Sequence, residues 1–323
     1  VCLRHAARAN PLGNPLQSRG IEVSPELWCC RTPPKIDDHV PLLPPRSDTA
    51  YASDAGHSME REEIMPYAPA NGIKIYYENH GLGPPIVFAH GRGGCHLSWW
   101  QQVADLRNKF QCITFDHRGF GYSKDVDDGP ARKAFADDLL DLLNHLDIER
   151  AFLVGQSMGG WTCLSFAITH PDRTAGLVLA DTSAGINDEK IFAAYCARGE
   201  PPANVFDHAL SAAFKERDPA KAFLYAEISA LSEQPKESLM DLLLSRDGPA
   251  PNQLADLQLP TLFIVGEVDI VVPPEIARLC ADAVPKSRLE IVKEAGHSVY
   301  FEQPEIFNRL VDEFISSNVD SLG

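Results

Sequence analysis

No stretch of this 323-residue chain approaches 18 consecutive apolar residues, so no segment reads as a membrane-spanning helix. Positive charge is scarce: 29 Lys and Arg stand against 45 Asp and Glu, a net charge of −16. Such a surface repels phosphate backbones and anionic headgroups, which argues against nucleic acid and charged lipid as partners. The eight cysteines form no CxxC pair and no set with histidine at metal-ligand spacing, so neither a metal nor another cofactor is expected. Several sit inside apolar runs, where a thiol behaves as a small hydrophobe. They read as reduced thiols of a cytoplasmic protein. No internal repeat is present.

What is there is a large core. Hydrophobic residues make up 44% of the chain, enough for one large α/β domain with an insertion. Residues 1–63 stand apart. Their prolines cluster at Pro33, Pro34, Pro41, Pro44 and Pro45 with no helix or strand period, which predicts a disordered or non-core extension. The chain opens on Val1, and Met59 or Met65 is expected as the natural start. A transit-peptide reading competes, since Arg4, Arg8 and Arg19 occur early with no acid among the first twenty residues.

From about residue 64 the pattern becomes orderly. "MPYAPANGIKIYYENHG" (65–81) predicts two strands joined at Asn71-Gly72. Apolar runs at 85–90, 112–116, 151–155, 175–180, 262–266 and 288–292 read as buried strands. Helical spacing intervenes, as with Phe135, Leu139, Leu142, Leu143 and Leu146. Buried strands alternating with helices predict a mostly parallel sheet covered on both faces. Between 180 and 262 the rhythm breaks into helical patterns, a cap insertion over about 185–248 on a domain spanning 64–323.

"GQSMGG" (155–160) falls where a strand becomes a helix. Glycine is unfavourable inside either element by roughly 0.5–1 kcal/mol relative to Ala, so the cluster implies a forced, tight backbone. The GxSxG spacing is that of a nucleophile elbow, presenting Ser157 at a strand's carboxyl end. A serine hydroxyl needs a base. His297, in "AGHSVYFEQP" after the strand 288–292, is the candidate. The base needs an acid to fix its tautomer. Asp269, in "GEVDIVVPP", is favoured over Asp181, which follows the strand 175–180. "HGRGG" (90–94) predicts an oxyanion hole built from the backbone N–H groups of Arg92 and Met158. The loop lacks the GK[ST] ending of a phosphate-binding loop.

These motifs together resemble the α/β-hydrolases of the lidded esterase and C–C hydrolase type. "HGRGG", "FDHRGFGYS" (115–123), "GQSMGG", "GEVDIVVP" and "AGHSVYFEQP" fall in that family's order, from about residue 65 onward. The resemblance implies an α/β-hydrolase fold, with Asp116, His117 and Arg118 as scaffold. It implies a serine hydrolase of carboxylic esters or lactones, acting on a small molecule, with homo-oligomerisation left open. Two alternatives stand beside it. One is hydrolysis of a carbon–carbon bond of meta-cleavage type, against which Ser298 counts, because such enzymes usually carry Trp directly after the histidine. The other is a non-catalytic receptor or scaffold on the same fold. Trp99 and Trp100 are expected as core and pocket wall, Cys95 as accessible near the site, and Cys163 as buried and inert.

Overall fold

The computed structural model describes residues 66–198, 208–232 and 244–322. All the described residues belong to one compact unit, Glu60–Gly323. The expected extension over 1–63 lies outside the described residues. So do residues 199–207 and 233–243 of the expected insertion.

Asn71 and Gly72, at φ 41° and 79°, make the left-handed two-residue turn that suits a hairpin. They join β1 (Tyr67–Ala70) to β2 (Ile73–His80) in antiparallel register. β2 in turn pairs antiparallel with β4 (Gln111–Phe115). The remaining pairs are parallel and involve β3 (Pro85–Ala89), β5 (Ala151–Gln156), β6 (Thr174–Ala180), β7 (Thr261–Gly266) and β8 (Ser287–Val292). Among the described residues the sheet has eight strands in the order β1-β2-β4-β3-β5-β6-β7-β8.

Alternate residues of the central strands serve opposite faces. Val87 and Leu153 join one apolar cluster. It includes Leu139 and Leu143 of α2 (Phe135–His145) and Leu164 of α3 (Met158–Thr169). Phe88 and Phe152 join the other, with Trp99, Leu106 of α1 (Trp100–Leu106) and Phe314 near the C-terminus. Every residue of β5, β6 and β7 is buried, which is why these strands read as unbroken apolar runs.

Strand order reverses at β3, which lies between β4 and β5. In an open parallel sheet that reversal opens a crevice at the strands' carboxyl ends. The loops carrying Gly91–Gly94 and Ser157 emerge there. Between β6 and β7 the described helices are α4 (Glu189–Ala197), α5 (Ala212–Arg217), α6 (Pro219–Ala230) and α7 (Pro251–Ala255). After β7 come α8 (Pro274–Ala283), α9 (Val299–Glu302) and α10 (Pro304–Asn318).

Two expectations need correction. Cys95 is fully buried in the second cluster, because the chain turns inward there to seat Trp99. Trp99 is core, but Trp100 is 39% exposed, since it begins α1 one position round from the buried face. Cys163 is buried as expected.

Candidate active site

Ser157 takes φ 50° and ψ −115°, a conformation an L residue enters only under constraint. Small neighbours create the constraint. A Cβ on Gly159 would stand 2.0 Å from the carbonyl oxygen of Ala89, and one on Gly91 would stand 2.0 Å from Gln156 Oε1. Elbow and β3 loop therefore approach closer than any side chain allows. Met158 is the first residue of α3, where backbone N–H groups have no intrahelical acceptor. Arg92 lines a small recess with Gly91, Gly93, Ser98, Gln156 and Tyr225.

His297 Nε2 lies 3.0 Å from Ser157 Oγ, and His297 Nδ1 lies 2.9 Å from Asp269 Oδ2. His297 and Asp269 are 6% and 3% exposed, whereas Ser157 is half-buried. Three residues distant in sequence thus form one hydrogen-bonded row that opens at the serine. The other Asp269 oxygen accepts from Val271 N–H at 2.7 Å and Val272 N–H at 3.0 Å, so the turn after β7 fixes the carboxylate. Burial pulls the His297 pKa down, but the Asp269 charge and hydrogen bond outweigh it. The net shift is upward from 6.5.

Asp181, the rival acid, does not touch His297 by hydrogen bond. Its oxygens accept from Gly266 N–H and Val299 N–H, both at 3.1 Å. Burial, followed by the nearby Asp269 charge, pushes its pKa well above the usual carboxylate range. It ties the end of β7 to the start of α9, one on each side of the acid and the histidine.

The histidine loop is pinned elsewhere too. Gln156, the variable residue of the elbow motif, donates to His297 O at 2.8 Å. Glu302 accepts from Gly296 N–H at 3.1 Å. Neither residue had been assigned a role from sequence. Both lie inside the quoted motifs, but contacts to distant main-chain atoms leave no periodicity to read.

His90 is neutral scaffold. Its Nδ1 donates to Gly91 O at 2.8 Å and its Nε2 accepts from His117 N–H at 3.0 Å. Burial lowers its pKa to about 4. Arg118 is buried and forks onto Asp138 at 2.7 and 2.8 Å, with Asp125 at 2.9 Å, which locks the turn after β4. Cys95, His96 and Asp116 offer ligand-type atoms within 4.8 Å of one another. The set is already internally bonded, however. Asp116 Oδ1 accepts from His96 N–H at 2.6 Å and lies 2.8 Å from its Nδ1, and burial pushes the Cys95 thiol up to about 12.

The insertion reaches this site by hydroxyl contacts. Ser229 and Ser232 donate to the carbonyls of Gly93 and Gly94 at 3.1 and 2.8 Å. Tyr225 Oη lies 3.0 Å from Ser298 Oγ, beside His297. Among the described residues no helix is long and apolar enough to cross a membrane.

Known proteins of similar sequence and structure fit this architecture. A family model described as alpha/beta hydrolase fold matches residues 84–199, and one described as TAP-like protein matches residues 243–318. A Mycobacterium tuberculosis protein bearing the name non-heme bromoperoxidase BpoC is 30% identical over 266 residues. That match covers 76% of this chain and 98% of the relative. The enol-lactonase of Burkholderia xenovorans LB400 superposes with a TM-score of 0.65 at 28% identity, covering 78% of this chain and all (100%) of its own. A thermophilic esterase of Thermogutta terrifontis gives 0.64 at 29%, covering 78% and 98%.

Proposed function

The chain belongs to the α/β-hydrolase family, and from that premise we propose that it is a serine hydrolase cleaving carboxylic esters or lactones. The observation that carries the reading is the row Ser157–His297–Asp269, with 3.0 and 2.9 Å links. Serine at the elbow attacks a carbonyl rather than a saturated carbon. An esterase and an enol-lactonase stand among the structural neighbours, and both names describe acyl transfer to water.

In this mechanism His297 Nε2 takes the Ser157 hydroxyl proton as Oγ attacks the acyl carbon. The tetrahedral intermediate places its oxyanion against the N–H groups of Arg92 and Met158. Loss of one such donor typically lowers rate by about 10²–10³. His297 then returns the proton to the departing alkoxide, which leaves as the alcohol. The acyl group stays on Oγ. Water enters, loses a proton to Nε2 and attacks the same carbon. Collapse of the second intermediate frees the acid, and Nε2 returns its proton to Oγ, which restores Ser157. Asp269 holds Nδ1–H and stabilises the imidazolium formed in each half-reaction.

A panel of p-nitrophenyl esters and lactones tests this. Turnover of at least one, abolished in Ser157→Ala, is the expected result. Cleavage of a vinylogous 1,5-diketone with no ester or lactone turnover would instead identify a carbon–carbon hydrolase.

A further inference from the structure

Glu302 closes α9, and the residue is 4% exposed. Its Oε1 accepts Ser211 N–H at 2.9 Å and Gly296 N–H at 3.1 Å, and its Oε2 accepts the Ser211 hydroxyl at 2.6 Å. Ser211 is the N-cap of α5 in the insertion, and its Oγ also accepts Phe214 N–H at 3.2 Å. Gly296 immediately precedes His297. No slack exists between these groups, since a Cβ on Gly296 would stand 2.8 Å from both Glu302 Oε1 and Ser211 N.

We propose that Glu302 is a positioning residue for His297, a carboxylate tether through which the insertion holds the histidine loop; this rests on the Ser157 hydrolase reading. All three contacts are donors aimed at the carboxylate, which as an ion accepts every one of them. The charged and titratable groups around it are Arg217 on α5, Tyr225 on α6 and His297 on its own loop. Burial, the largest influence, raises the Glu302 pKa above 4.5 against the opposing hydrogen bonds and Arg217. The Glu302 charge also adds to the upward shift of His297. Acidification therefore acts on the site through His297, and the Glu302 charge raises the pH at which that histidine gains its proton.

Glutamine separates shape from charge. Its carbonyl can keep both backbone N–H bonds, and its amide can donate to Ser211 Oγ with the hydroxyl turned round. Alanine removes everything and leaves two buried N–H groups unpaired. The test is the kcat and KM of a p-nitrophenyl ester for wild type, Glu302→Gln, Glu302→Ala and Ser211→Ala, followed from about pH 5 to 9.

The Gln variant should keep kcat within about threefold of wild type at the alkaline end. Its acid limb should move to lower pH, because the neutral amide no longer raises the His297 pKa. The Ala variant should lose kcat by about tenfold or more with a smaller change in KM. Ser211→Ala should fall between, with the acid limb of the wild type. Should the Ala variant not fold, the Gln profile alone decides. A Gln profile that superimposes on wild type, or an Ala variant within about twofold of wild-type kcat, would overturn the tether. Absence of Ser157-dependent turnover in the wild type would overturn the hydrolase reading and the tether with it.

Discussion

Ser157 sits at positive φ, and the residues that hold it there are also those that aim its oxygen at His297. Sequence made this much legible, because GxSxG and the order Ser, Asp, His each depend on local spacing. The choice between Asp269 and Asp181 was harder, because both follow strands. The structure separates them by partner: Asp269 faces Nδ1, whereas Asp181 faces two amides. Asp269→Asn should therefore lower kcat by about 10³–10⁴. Asp181→Asn should cost much less, since its pKa is already raised and the amide oxygen can still accept one N–H bond. Steady-state rates of the two variants check this ordering. His297 must be neutral to act as base, and its pKa lies above 6.5, so the acid limb of the wild-type kcat/KM profile should have its midpoint above that value. Asp269→Asn should bring the residual activity's midpoint down. For stability the sign is opposite. Because the folded pKa exceeds the unfolded one, the His297–Asp269 pair contributes fully below the unfolded pKa, and that contribution fades as pH rises through the folded one.

At the scale of elements, strands were readable because burial on both faces makes them continuous apolar runs, as in "TAGLVLA" and "TLFIVG". The surroundings of Trp100 and Cys95 were not, because burial there depends on how the turn after β3 rolls into α1. Nor could sequence show Ser229 of α6 and Ser232 just beyond it reaching the Gly93 and Gly94 carbonyls, a contact between segments more than a hundred residues apart. The junction of α3 with β3 offers a direct test. At Gly159 the obstruction is the Ala89 carbonyl, main chain that cannot swing aside. Gly159→Ala should therefore displace the elbow and cost about 1–3 kcal/mol of stability, seen as a fall in Tm, with ester turnover lost more completely than fold. Unchanged Tm and turnover would mean that α3 stands further from β3 than described.

For the molecule as a whole, the family matches at 84–199 and 243–318 flank the middle of the insertion, and the catalytic groups proposed here fall outside that gap. We propose that residues 1–63 are not needed for the hydrolase core, and that the insertion over about 185–248 forms a cap. Removing residues 1–58 should leave Tm and turnover nearly unchanged, and a large drop in either would assign that segment to the working enzyme. The central claim is the acyl-enzyme on Ser157, and intact-protein mass spectrometry after treatment with a p-nitrophenyl phosphonate tests it most directly. The expected result is a single phosphonyl adduct, mapped by peptide sequencing to Ser157 and absent from Ser157→Ala. Stoichiometric labelling of Ser157→Ala, or an adduct mapped to any other residue, would contradict it.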